Sequence, residues 1–170
     1  MSASGALRPT LEPGVFAGLP QAIRMLFDGE QRQAMPGFTL ALHSVDPEGR
    51  VHSSLLGLAE IWAPPRLAPA SPDQLRLVLW PAARSVANLT RTSRAALACV
   101  LDASFVQIQL CAVQRLPDAM GLARFCCEIE RVEAQRVAYA HLRSGITFEL
   151  DDVSGEVEAR WAAQLAALRA

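Results

Sequence analysis

The residues best equipped for chemistry in this 170-residue chain lie in one stretch, Leu75-Arg76-Leu77-Val78-Leu79-Trp80-Pro81-Ala82-Ala83-Arg84-Ser85-Val86-Ala87-Asn88-Leu89. A half-buried strand runs into a proline turn, and a helix opens beside Arg84 and Ser85. A helix start leaves backbone N–H groups unpaired and carries partial positive charge, so it suits an anion, above all a phosphate. Arg84 adds a planar fork of donors and Ser85 a hydroxyl. The plainer alternative makes Ser85 a helix cap and Arg84 a solvated surface charge.

Other polar groups are less pointed. His43 and His52 are expected as neighbours across a hairpin, but no third ligand accompanies them, so no metal site is assigned. His141 follows Tyr139 and is a candidate proton donor or an ordinary surface residue. Trp80 could stack on a ligand ring or fill a core or subunit seam. Gln107 and Gln109 share a strand face with Phe105 and Cys111, where they could read a ring's polar edge or line solvent. Glu128 and Glu130 mark a solvated face rather than an acid/base pair. No catalytic base stands out.

Composition narrows the field. All 16 basic side chains are arginine, which excludes lysine Schiff-base chemistry. A net charge of −1 supplies no global field for nucleic acid. Hydrophobic residues make up 51%, yet charges or prolines interrupt every apolar run before membrane-spanning length. The start Met1-Ser2-Ala3-Ser4-Gly5 lacks the pattern of a secretion signal, so a soluble cytoplasmic protein is expected, with the apolar excess serving a subunit interface. Cys99, Cys111, Cys126 and Cys127 fall within apolar strand patterns without a CxxC pair, as buried free thiols would. Residues 1–18 are read as a disordered lead-in and 19–170 as a single domain.

The elements that must position these groups are mostly strands. A helix is predicted from Pro20 to about Phe27 and a strand over Phe38–His43. The turn Asp46-Pro47-Glu48-Gly49 leads into a long strand over Arg50–Trp62, with Gly57 as a bulge. A proline-rich loop follows, then a strand over Gln74–Trp80 and a helix over Ser85–Arg91. Ala95–Leu101 reads as a central strand and Ser104–Val113 as an alternating one, with Val106, Ile108, Leu110 and Ala112 on its apolar face. A turn over Pro117–Gly121, a strand over Leu122–Glu133, a short helix over Ala134–Leu142 and a strand over Ile146–Leu150 come next. A last helix begins at Ser154, its apolar stripe formed by Val157, Trp161, Leu165 and Leu168. The fold class is therefore mainly β: an antiparallel barrel of six to seven strands with flanking N- and C-terminal helices.

In this order the elements resemble the pyridoxamine-phosphate-oxidase-like FMN-binding split barrel, over roughly Ile23 to Leu150. The matching pieces include Arg50-Val51-His52-Ser53-Ser54-Leu55-Leu56-Gly57 and Arg84-Ser85-Val86-Ala87-Asn88-Leu89. The resemblance implies a homodimer with FMN in a cleft between subunits, a deazaflavin being the alternative, and a redox reaction on a small-molecule substrate. It implies that Ser53, Ser54 and Leu55 run along the cofactor, that Leu79 and Trp80 approach the ring, and that Arg84 and Ser85 hold the phosphate. Asn88 would brace the phosphate loop, and Gln107 would reach the flavin. Two departures weaken the grip: Ser54 stands where the family's oxidases carry an arginine, and Ser85 replaces a lysine. The arginine- and histidine-bearing tail that binds pyridoxal phosphate is also absent, so the chain does not look like that oxidase. A non-enzymatic barrel that lost flavin or binds another ligand is the rival reading; a tetrapyrrole-handling role finds no tail histidine motif.

Overall fold

A computed structural model describes residues 10–151 and 154–170. The strands β1 (Gly14–Phe16), β2 (Thr39–Val45), β3 (Val51–Gly57), β4 (Ile61–Trp62), β5 (Gln74–Leu79), β6 (Ala95–Leu101), β7 (Ser104–Ala119) and β8 (Leu122–Gln135) form one antiparallel sheet. Their order is β3-β2-β6-β7-β8-β5-β4, with β1 added to β8. The helices are α1 (Gln21–Leu26), α2 (Arg84–Thr92) and α3 (Glu156–Arg169). This is the expected split barrel. The chain passes from edge strand β3 to edge strand β4 through the short turn Leu58–Glu60, and the Val78 N–H donates to the Glu60 carbonyl at 3.0 Å, so the two edges stay close.

Alternation decides which side chains enter the core. Leu40 and Leu42 on β2, Leu97 on β6, Val106, Ile108 and Leu110 on β7, and Phe125, Cys127 and Val132 on β8 are buried together. Helix α1 closes one end of this core with Ile23 and Leu26. Helix α3 lies on the outer face instead, where Leu165 and Leu168 pack with Val78, Leu122 and Trp62. The Arg76 guanidinium sits 5.3 Å from the Trp62 ring and donates to the Leu168 carbonyl at 2.8 Å, which fixes the end of α3.

Several expectations need correction. The lead-in is folded from Thr10 onward: Leu11 is buried in the core, and β1 pairs with Val132–Ala134. Residues 1–9 of that segment lie outside the described residues. The predicted strand Arg50–Trp62 divides, because the Glu60 carboxylate accepts the Gly57 N–H at 2.8 Å and forms a tight turn. The predicted helix Ala134–Leu142 is the end of β8 followed by irregular chain, since Val132 and Ala134 face the core between β1 and β7. Residues 136–142 are exposed and offer no face to bury, so nothing sustains a helix there. The predicted strand Ile146–Leu150 reduces to one bridge, Thr147 to Phe38. On β7 a register shift between Cys111 and Gln114, with Ala112 at φ 46°, turns Ala112 outward and gives its core place to Val113.

Candidate functional site

The start of α2 is built as the sequence suggests. Leu79 closes β5 in the core, and Trp80 leaves the sheet with 60% of its surface exposed. The Ala83 N–H donates to the Trp80 carbonyl at 2.9 Å, a turn that aims α2 back across the barrel end. Ala83 holds the N-cap position and offers no capping side chain. Among the described residues nothing accepts the N–H groups of Arg84 and Ser85. Arg84 is exposed and makes no ion pair among those residues. An uncapped helix start, a free guanidinium and an open indole therefore share one rim.

Ser85 is not the helix cap. It lies within the first turn rather than at the cap, and its hydroxyl is buried with no hydrogen-bond partner among the described residues. Asn88, also buried, donates to the Ser44 hydroxyl at 3.0 Å, and the exposed Arg91 guanidinium bonds the Val45 carbonyl at 2.5 Å. These contacts pin α2 to the end of β2. The bracing role expected of Asn88 thus falls on the helix as a whole.

The remaining site residues divide between two faces of the sheet. Register pairs Ser53 with His43, Ser54 with Leu42 and Leu55 with Ala41. Leu42 points into the core, so Ser54 and His52 lean inward, with Ser54 Oγ 3.4 Å from His52 Nε2. Ser53 and the half-exposed Leu55 face outward, with Ser53 Oγ 2.9 Å from His43 Nδ1. His43 and His52 therefore lie on opposite faces, not side by side. Gln107 is on the outer face too, reached from Leu55 through Ala41 and Ala98. Three strand spacings separate Leu55 from Gln107, about 14 Å. One chain does not bring the whole set together.

Glu130 pairs with Arg94 at 3.0 Å, as a solvated face would have it. Cys99 is buried and its thiol is pushed up to about 12 by loss of hydration; Cys127, also buried, is raised further for the same reason. Cys111 and Cys126 are only half-buried, against the expectation of four buried thiols, and all four cysteines are unpaired. No helix among the described residues is long and apolar enough to cross a membrane. Two cavities lie away from α2, on either side of Phe38 and Thr147. Sequence reading missed them, because they form where irregular chain folds back over the sheet.

No family model matches the chain. No curated protein matches it. Among solved structures it is similar to a protein from Lactobacillus delbrueckii provisionally assigned as a pyridoxamine 5′-phosphate oxidase, at 17% identity and TM-score 0.49, covering 69% of this chain and 94% of that one. It is also similar to an FMN-binding protein from Syntrophomonas wolfei, at 12% identity and TM-score 0.45, covering 67% and 88%. A flavoredoxin from Methanosarcina acetivorans is similar at 9% identity and TM-score 0.45, covering 72% and 92%.

Proposed function

We propose that the chain is a cytoplasmic split-barrel flavoprotein that binds FMN by its phosphate at the start of α2 and serves as an oxidoreductase on a small-molecule substrate. The observation that carries this reading is the uncapped, solvent-facing helix start bearing the unpaired Arg84 beside the open Trp80 indole. Bound there, the flavin would supply hydride or electron transfer. Arg84 and the first N–H groups of α2 would hold the phosphate, and Trp80 would border the ring system. Buried Leu79 and the Asn88–Ser44 bond would keep that rim rigid. Gln107 and Ser53 would join from a second copy, since one chain holds them apart on the outer face.

Residue fit is incomplete. Ser54 leans inward and the Ser85 hydroxyl is buried, so neither would join Arg84 and the helix N–H groups on a phosphate, and Arg76 is engaged by Trp62 and the Leu168 carbonyl. That shortfall favours the second reading, a split-barrel dimer that takes another ligand or none. Titrating the protein with FMN and with riboflavin, followed by flavin fluorescence, separates the two. The flavoprotein reading expects saturable FMN binding that Arg84→Ala weakens at least about tenfold, with riboflavin unaffected. Absence of FMN binding at micromolar concentrations, or an Arg84→Ala variant of unchanged affinity, overturns it.

A further inference from the structure

A cavity of about 800 Å³ opens at the opposite end of β2 from α2. It is lined by Thr39 at the start of β2, whereas α2 holds Ser44 near the strand's end, five residues or about 17 Å away. Its size falls within the range of small-ligand sites. The apolar wall is formed by Met25, Leu26, Met35, Phe38 and Leu101. The two methionines are flexible enough to fit an unbranched chain.

The walls are built rather than loose. Asp102 and Ala103 form the tight β6–β7 turn with φ of 48° and 57°. The Asp102 carboxylate accepts the Leu11 N–H at 3.0 Å and faces Arg136 at 3.3 Å, so it is already engaged. The roof is the segment around Gly145–Thr147, held where Thr147 bridges to Phe38 and the Phe148 N–H donates to the Gly37 carbonyl at 3.3 Å. The Thr39 hydroxyl donates to the Gly37 carbonyl at 3.2 Å.

One charge remains. Arg143 lines the exposed mouth and has no ion-pair or hydrogen-bond partner among the described residues. Other arginines are engaged: Arg136 is held by Asp102 and Arg32 by Glu158. We propose that this cavity binds a small amphiphilic monocarboxylate, its hydrocarbon tail against Met25, Met35 and Phe38 and its carboxylate on Arg143. A guanidinium fork matches a carboxylate in plane, with two parallel N–H donors. A phosphomonoester would carry a second charge that one arginine leaves uncompensated.

The test is titration calorimetry with octanoate and with neutral octan-1-ol, using the flavin-free protein. Octanoate is expected to bind saturably, one molecule per chain, roughly tenfold tighter than the alcohol. Arg143→Gln should abolish that preference while leaving the alcohol's affinity unchanged. Ala34→Trp, at an exposed lining position, should weaken both ligands. Both substitutions fall at exposed positions, and circular dichroism checks that the fold is kept. Absence of saturable octanoate binding, an unchanged octanoate preference in Arg143→Gln, or unchanged affinities in Ala34→Trp each overturns the proposal. Because no flavin takes part, failure here leaves the flavoprotein reading untouched.

Discussion

At the scale of single residues, Asp73 is a heavily committed charge. Its side chain is fully buried, accepts the Leu19 N–H at 2.7 Å and meets both Arg24 and Arg66. Burial alone would raise its pKa, but the Arg66 hydrogen bonds, the Leu19 N–H and Arg24 outweigh it and hold the carboxyl at about 2 against an ordinary 3.8. The folded value lies below the unfolded one, so the stability it contributes is present above about pH 4 and is lost as pH falls toward 2. Asp73→Asn should cost on the order of 2 kcal/mol near neutrality and flatten the loss of stability on acidification, as read by urea unfolding at several pH values. An Asp73→Asn variant that retains the wild-type acid slope would remove Asp73 as its source. Gly37 is a second single-residue control point. Its φ is 75°, and a Cβ there would lie 2.3 Å from the Phe148 carbonyl oxygen. Gly37→Ala should therefore lower the melting temperature and free the 143–150 segment to faster amide exchange. Neither role was legible in sequence, because the partners lie 49 residues away for Arg24 and over a hundred for Phe148.

At the scale of elements, α2 and β7 show how local pattern and long-range packing divide the work. The start of α2 is read almost to the residue, because the proline turn and the apolar positions Val86 and Leu89 are local signals. Its attachment is not local: the buried Asn88–Ser44 bond joins residues 44 apart. Asn88→Ala would leave the Ser44 hydroxyl buried without that donor, at a cost of about 1–3 kcal/mol in denaturant unfolding. It should also weaken FMN binding less than Arg84→Ala does, since it touches only the support. On β7, strict alternation carries as far as Leu110 and then fails, because Ala112 adopts a left-handed conformation at the bulge. Ala112→Gly should relieve that conformation and raise stability by about 1 kcal/mol, seen as a higher melting temperature. A lower melting temperature would mean that the Ala112 methyl, rather than the backbone, matters there.

At the scale of the whole molecule, the outer face of β3, β2 and β6 is left open where α3 covers the other half of the sheet. Small Ala41, Ala96 and Ala98 make it flat, while Val51 is 70% and Phe105 38% exposed at its margins. A flat apolar centre with larger side chains around it suits a second copy, which would also bring Gln107 and Ser53 toward a neighbouring α2. A double Val51→Arg, Phe105→Arg variant should halve the mass seen by light scattering and weaken FMN binding in parallel. A wild-type protein that is already monomeric would contradict the shared site. The sequence by itself determined the central strands β2, β5, β6, β7 and β8, the turn at Asp46–Gly49, the helix start to within one residue of Ser85 and the antiparallel class, since each rests on neighbours close in the chain. Tertiary structure alone decided that Ser85 and Ser54 turn inward, that the two histidines part, that β3 ends at Gly57, and that the 143–150 segment roofs a cavity. Those outcomes depend on which face of a strand meets the core and on contacts between residues far apart in the chain, and neither is encoded in local spacing.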